Sequence, residues 1–66
     1  MDKADLTEEL KNLIKYIGKL EIKLTDYKKN KSVYDPEERK EYVDMELQLS
    51  AMNLYKLYLE RRTNRL

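Results

Sequence analysis

Apolar side chains recur at Leu6, Leu10, Leu13, Ile17, Leu20, Leu24 and Tyr27, at spacings that alternate four and three. A 3.5-residue rhythm keeps them in one line along a helix, the seam through which one helix packs against another. Ile14 widens that line on one flank. Asp5 followed by Glu8 has the spacing of a capping box, so the first helix is expected over about 5–28.

The rhythm stops in Lys28-Lys29-Asn30-Lys31-Ser32-Val33-Tyr34, where Asn and Ser interrupt the apolar line. Asp35-Pro36-Glu37-Glu38 then restarts a helix. Asp35 offers a capping carboxylate, the fixed φ of Pro36 suits the first helical position, and the two glutamates face the positive helix end. A loop over about 29–35 and a second helix over about 36–62 follow. A connection this short between helices this long favours an antiparallel pair. The expected fold is all-α, a two-helix hairpin forming one domain over 1–66, with the basic tail Arg61, Arg62 and Arg65 close to Asp2, Asp5, Glu8 and Glu9.

Steps of about 100° per residue place Val43, Leu47, Ala51, Leu54 and Tyr58 on one side of the second helix. Met45, Leu49, Met52 and Leu59 fall nearly opposite, with polar strips between. A single neighbouring helix covers one such stripe only. The expectation is that Leu47 and Leu54 join Leu6, Leu10, Leu13, Ile17, Leu20 and Leu24 in the intramolecular core. Met45, Leu49, Met52 and Leu59 would then form an oligomer interface, two hairpins assembling into a helical bundle or a higher ring.

Size sharpens that expectation, because a chain of 66 residues buries only about 60% of the surface its unfolded form exposes. It has neither Cys nor His, so neither disulfides nor a Cys/His metal centre supports the fold, and oligomerisation is the remaining device. With 14 Lys and Arg against 13 Asp and Glu, no global field draws it to nucleic acid or anionic lipid. The acidic start Met-Asp-Lys-Ala-Asp and the lack of a long apolar run argue against a signal peptide and a membrane span. The expected setting is the cytoplasm, with no membrane partner. Without a nucleophile–base pair, a glycine-rich phosphate loop or a metal-ligand cluster, no enzyme, cofactor or metal is expected.

Lys11, Lys15, Lys19 and Lys23 form an i, i+4 ladder, and like charges at that spacing repel by a few tenths of a kcal/mol each. It reads as a solvated face, or, together with Tyr16, Lys28, Lys29 and the loop residue Lys31, as a surface for an anionic nucleotide or nucleic acid. The lysines near residue 28 have a second explanation in the negative end of the first helix. Six Tyr with no Phe or Trp suit positions where one end of the ring stays wet. Tyr16, Tyr34, Tyr42 and Tyr55 are boundary or partner-facing candidates. Gly18, in mid-helix, reads as a tolerated accident or, with Ile22 one turn later, as a small contact in an assembly.

Gln48-Leu49-x-Ala51-Met52-x-x-Tyr55-x-x-x-Leu59-Glu60-x-Arg62, preceded by Ile17-x-Lys19-Leu20, resembles a group of small helical-hairpin proteins encoded by phages and prophages of Firmicutes. Tyr16 stands where that group is expected to carry Arg. The resemblance implies an accessory protein that acts by stoichiometric binding to a protein partner, including inhibition of a host defence system. Sequestration of a cyclic nucleotide between protomers, and a structural role in a particle, are the alternatives.

Overall fold

The computed structural model describes residues 2–30 and 35–65. Asp2 rather than Asp5 caps the first helix: its Oδ1 accepts the Asp5 amide at 2.8 Å, and its carbonyl accepts the Leu6 amide at 3.0 Å. Helix α1 therefore spans Lys3–Asn30, starting two residues earlier than expected, and Asp5 lies in its first turn against the positive helix end. At the far end the helix runs two residues past Lys28, and Asn30 Nδ2 folds back to donate to the Asp26 carbonyl at 3.0 Å.

Helix α2 spans Pro36–Arg65. Asp35 caps it as its sequence predicts, with Oδ1 accepting the Glu37 and Glu38 amides at 3.0 and 3.2 Å. No Gly or Pro interrupts the helix after Pro36, and it continues three residues beyond the expected end. Lys31 and Tyr34, singled out in the sequence, lie outside the described residues.

The fold is an all-α antiparallel hairpin of 47 × 15 × 13 Å, close to the roughly 45 Å length of a 30-residue helix. Polar contacts fix its register near both ends. By the turn, the Tyr27 hydroxyl donates to the Glu38 carbonyl at 2.8 Å, and the Tyr27 and Tyr42 rings stack at 6.4 Å between centroids. Toward the opposite end the Tyr55 hydroxyl donates to the Glu9 carboxylate.

On α1 the seam is as the rhythm predicts. Leu6, Leu13, Ile17, Leu20 and Leu24 are buried, while Leu10 and Tyr27 are half-buried. On α2 the two stripes exchange the roles expected of them. Leu59 is 1% exposed, and Leu49 and Met52 pack with Leu10 against the cluster of Leu6, Leu13, Ile17 and Leu59. Leu47 and Leu54, expected in the core, are 63% and 69% exposed. Met45, Leu49, Met52 and Leu59, expected to face another copy, belong instead to the side covered by α1.

Periodicity supplies the reason. Glu38, Tyr42, Met45, Leu49, Met52, Lys56, Leu59 and Thr63 keep an unbroken four-three spacing along α2, and every one of them is buried or half-buried. That line matches the 3.5-residue rhythm of α1 over the length of the pair. The Val43, Leu47, Ala51, Leu54, Tyr58 line has spacings of four, four, three and four, drifts around the helix and is shorter. Polar members of the packed line cost little at its edges, since long side chains cover apolar surface with their stems and keep their charged ends in water. Unbranched Met52 adapts to the cluster of Leu6, Leu13, Ile17 and Leu59, and Met45 lies nearer the turn beside Tyr27.

Candidate interaction surface

Helix α2 thus presents an apolar face to solvent, turned roughly 170° from its packed side at 100° per residue. Val43, Leu47, Leu54, Leu57 and Tyr58 on this face are between 44% and 69% exposed. Leu57 escaped the sequence reading because it flanks the stripe. Its signal was the spacing Leu54, Leu57, Tyr58, Arg61, the i, i+3, i+4, i+7 pattern of a helix face that meets a partner.

Two clefts indent the face, one at each end. Leu54, Leu57, Tyr58, Arg61, Arg62 and Arg65 line a cleft of about 230 Å³. Pro36, Glu37, Arg39, Lys40, Val43 and Asp44 line another of about 490 Å³. The first is walled by apolar carbons and guanidinium groups, and Arg62 is anchored in it: its guanidinium lies 5.4 Å over the Tyr58 ring, and its Nη1 donates to the Tyr58 hydroxyl at 3.1 Å. The Tyr55 and Tyr58 rings stack at 6.0 Å, which holds the aromatic wall against the body of the hairpin.

The basic tail, expected close to the acidic start of α1, forms no ion pair with it among the described residues; the ion pair seen there is Lys56 with Glu60 at 3.9 Å. Glu9 is engaged by Tyr55 instead, and Arg61 and Arg65 are exposed. That hydrogen bond raises the Tyr55 pKa above the usual tyrosine value, with partial burial adding to it.

The residues singled out for anion binding do not converge on one site. Lys11, Lys15 and Lys19 form an exposed ridge on the side of α1 away from the seam, Lys23 lies on the flank where it lines a groove with Tyr27 and Met45, and the Lys19 Nζ sits 5.7 Å from the centre of the Tyr16 ring. Lys28 lies apart from this ridge, on the flank facing α2, 5.6 Å from the Tyr42 ring centre. Its pKa is raised, first by the neighbouring Tyr42 hydroxyl and then by the Glu46 carboxylate beyond, to which that hydroxyl donates at 2.6 Å. Lys29 is exposed in the last turn of α1, where a cation suits the helix dipole.

Ile14, Tyr16 and Ile22 are exposed on α1, with Ile22 at 65%. A Cβ added at Gly18 would meet nothing within 4 Å, so no close approach inside the chain requires the glycine. Among the described residues no group of three potential metal ligands occurs, and no helix is long and apolar enough to cross a membrane. Comparison with protein-family models, with curated proteins and with solved structures finds no match to this chain.

Proposed function

We propose that this chain is a non-enzymatic binding module that self-associates through the outward face of α2 and acts by stoichiometric contact with a protein partner. The observation that carries this reading is the second apolar face itself. One helix presents two lines of large side chains on opposite sides, and α1 covers only one. Each large apolar side chain gains about 1.5–3 kcal/mol on full burial, so an uncovered line of this length favours a partner with a matching line. A second copy brings that match with it, because a two-fold contact uses the same patch on both subunits. The ridge of α1 opposite the seam, with its lysines, Tyr16, Gly18 and Ile22, stays open to a different protein. This is the stoichiometric role implied by the resemblance to small phage-encoded hairpins.

Light scattering of the intact chain and of a Leu47→Glu, Leu54→Glu double variant tests the reading. Both side chains are exposed in the hairpin, so the variant keeps its helical circular dichroism while its mass falls to that of one chain. An intact chain already at 8.0 kDa, or a variant with unchanged oligomeric mass, would remove the proposed role of this face.

A further inference from the structure

The two clefts on the outward face of α2 are related to one another by the sequence. Reflecting the helix about the bond between Ser50 and Ala51 carries Leu47 onto Leu54 and Val43 onto Tyr58. It also carries Pro36 and Lys40 of one cleft onto Arg65 and Arg61 of the other, so the mirror extends from the apolar line to both cleft linings. A face with this property is complementary to itself when a second copy lies across it in the opposite direction.

From this relation, which rests on the self-association argued above, we infer that two hairpins pair α2 against α2, antiparallel, about a two-fold axis at Ser50 and Ala51. Leu47 of each copy then meets Leu54 of the other. The Tyr58 side enters the cleft beside Val43 and Pro36, and Val43 enters the cleft beside Leu57 and Tyr58. Ser50 and Ala51, small and exposed, sit at the crossing and let the helices approach.

Charge favours this direction. Parallel pairing gathers Arg61, Arg62 and Arg65 of both copies at one end, a repulsive cluster. Antiparallel pairing brings these arginines toward Glu37 and Asp44 of the second copy. Lys40 and Arg39 then face Arg61 and Arg62 of that copy, and the same two carboxylates flank these two unfavourable pairs.

Area agrees as well. A compact monomer of 8.0 kDa exposes roughly 4,500 Å². The hairpin exposes 5326 Å², and the excess is close to the roughly 800 Å² that each partner contributes to a standard interface.

The inferred assembly is a layer in the order α1, α2, α2, α1 rather than a square four-helix bundle. The two apolar faces of α2 are nearly opposite, so the two α2 helices stand in the middle, covered on both sides, while each α1 stays outside with its lysine ridge in solvent.

Single cysteines test the arrangement cleanly, because the chain has none of its own. Ala51→Cys, Lys40→Cys and Lys15→Cys chains would be oxidised and, separately, treated with a short bis-maleimide linker, with the mass of each measured first. Ala51→Cys should join efficiently into a covalent dimer. Lys40→Cys should not, since its two copies would stand about 30 Å apart along the antiparallel pair. Lys15→Cys, on the outer ridge, should not join either. Efficient joining at Lys40→Cys would overturn the antiparallel direction, and at Lys15→Cys it would overturn the layer order. An oligomer that fails to join at Ala51→Cys would overturn the axis while leaving self-association in place. A mass of one chain throughout would overturn both.

Discussion

Tyr55 donates its hydroxyl proton to the carboxylate of Glu9, joining positions 46 apart in the chain and tying the later turns of α2 to the start of α1. This bond exists only while Tyr55 is protonated, which is why its pKa is raised. Tyr27 is raised as well, by partial burial and then by Glu38, Glu41 and Asp35. Lys28 is raised by the Tyr42 hydroxyl and Glu46. All three groups hold their protons more tightly in the folded chain than in the unfolded one. Their contribution is therefore fully present below about pH 10, where unperturbed Tyr and Lys titrate, and is lost as pH rises through the raised values. Thermal melting should be level from neutral pH to about 9 and fall beyond 10. Tyr55→Phe should lower the midpoint near neutral pH and make the alkaline fall shallower, and an unchanged alkaline profile would count against the Tyr55 contact.

Leu59 is the anchor of the core on the α2 side, 1% exposed in one cluster with Leu6, Leu13 and Ile17. Leu59→Ala should cost about 2–5 kcal/mol in urea unfolding, the range for a buried leucine in a site that collapses incompletely. Measured in the monomeric Leu47→Glu background, Leu54→Ala should change the hairpin far less, because that side chain is mostly in solvent in a single hairpin. Equal losses at the two positions would contradict the exchange of stripes described above.

How far this was legible in the sequence can be followed residue by residue. The α1 seam was fully written in its four-three spacing, because a single apolar line admits one inward face. The restart at Asp35-Pro36 was equally plain. The inward face of α2 was not, because two apolar lines of similar strength compete and amphipathicity alone does not rank them. The deciding signal ran through polar members, Glu38, Lys56 and Thr63, which an apolar pattern search passes over. Tyr42 within the same line and Tyr55 beside it find partners in Tyr27 and Glu9, contacts that local spacing does not reveal. The outward face was therefore predicted to exist but was assigned to the wrong residues. Its clefts became visible only when Leu57 and the arginines were placed around the helix.

Gly18 separates two further ideas. A Cβ there meets open space, so Gly18→Ala should stabilise the hairpin by about 0.5–1 kcal/mol through the lower conformational freedom of the unfolded chain. In the inferred layer this position lies on α1 outside the interface, and the oligomeric mass should not change. A destabilised or dissociated Gly18→Ala protein would mean that a partner backbone approaches there.

The most direct test of the central claim is sedimentation equilibrium of the unmodified chain across a wide dilution series. If the outward face of α2 is covered by a second copy, the mass should approach twice 8.0 kDa at the higher concentrations and fall together with the melting midpoint on dilution. A mass of 8.0 kDa at every concentration, with a cooperative melt that does not depend on dilution, would contradict it.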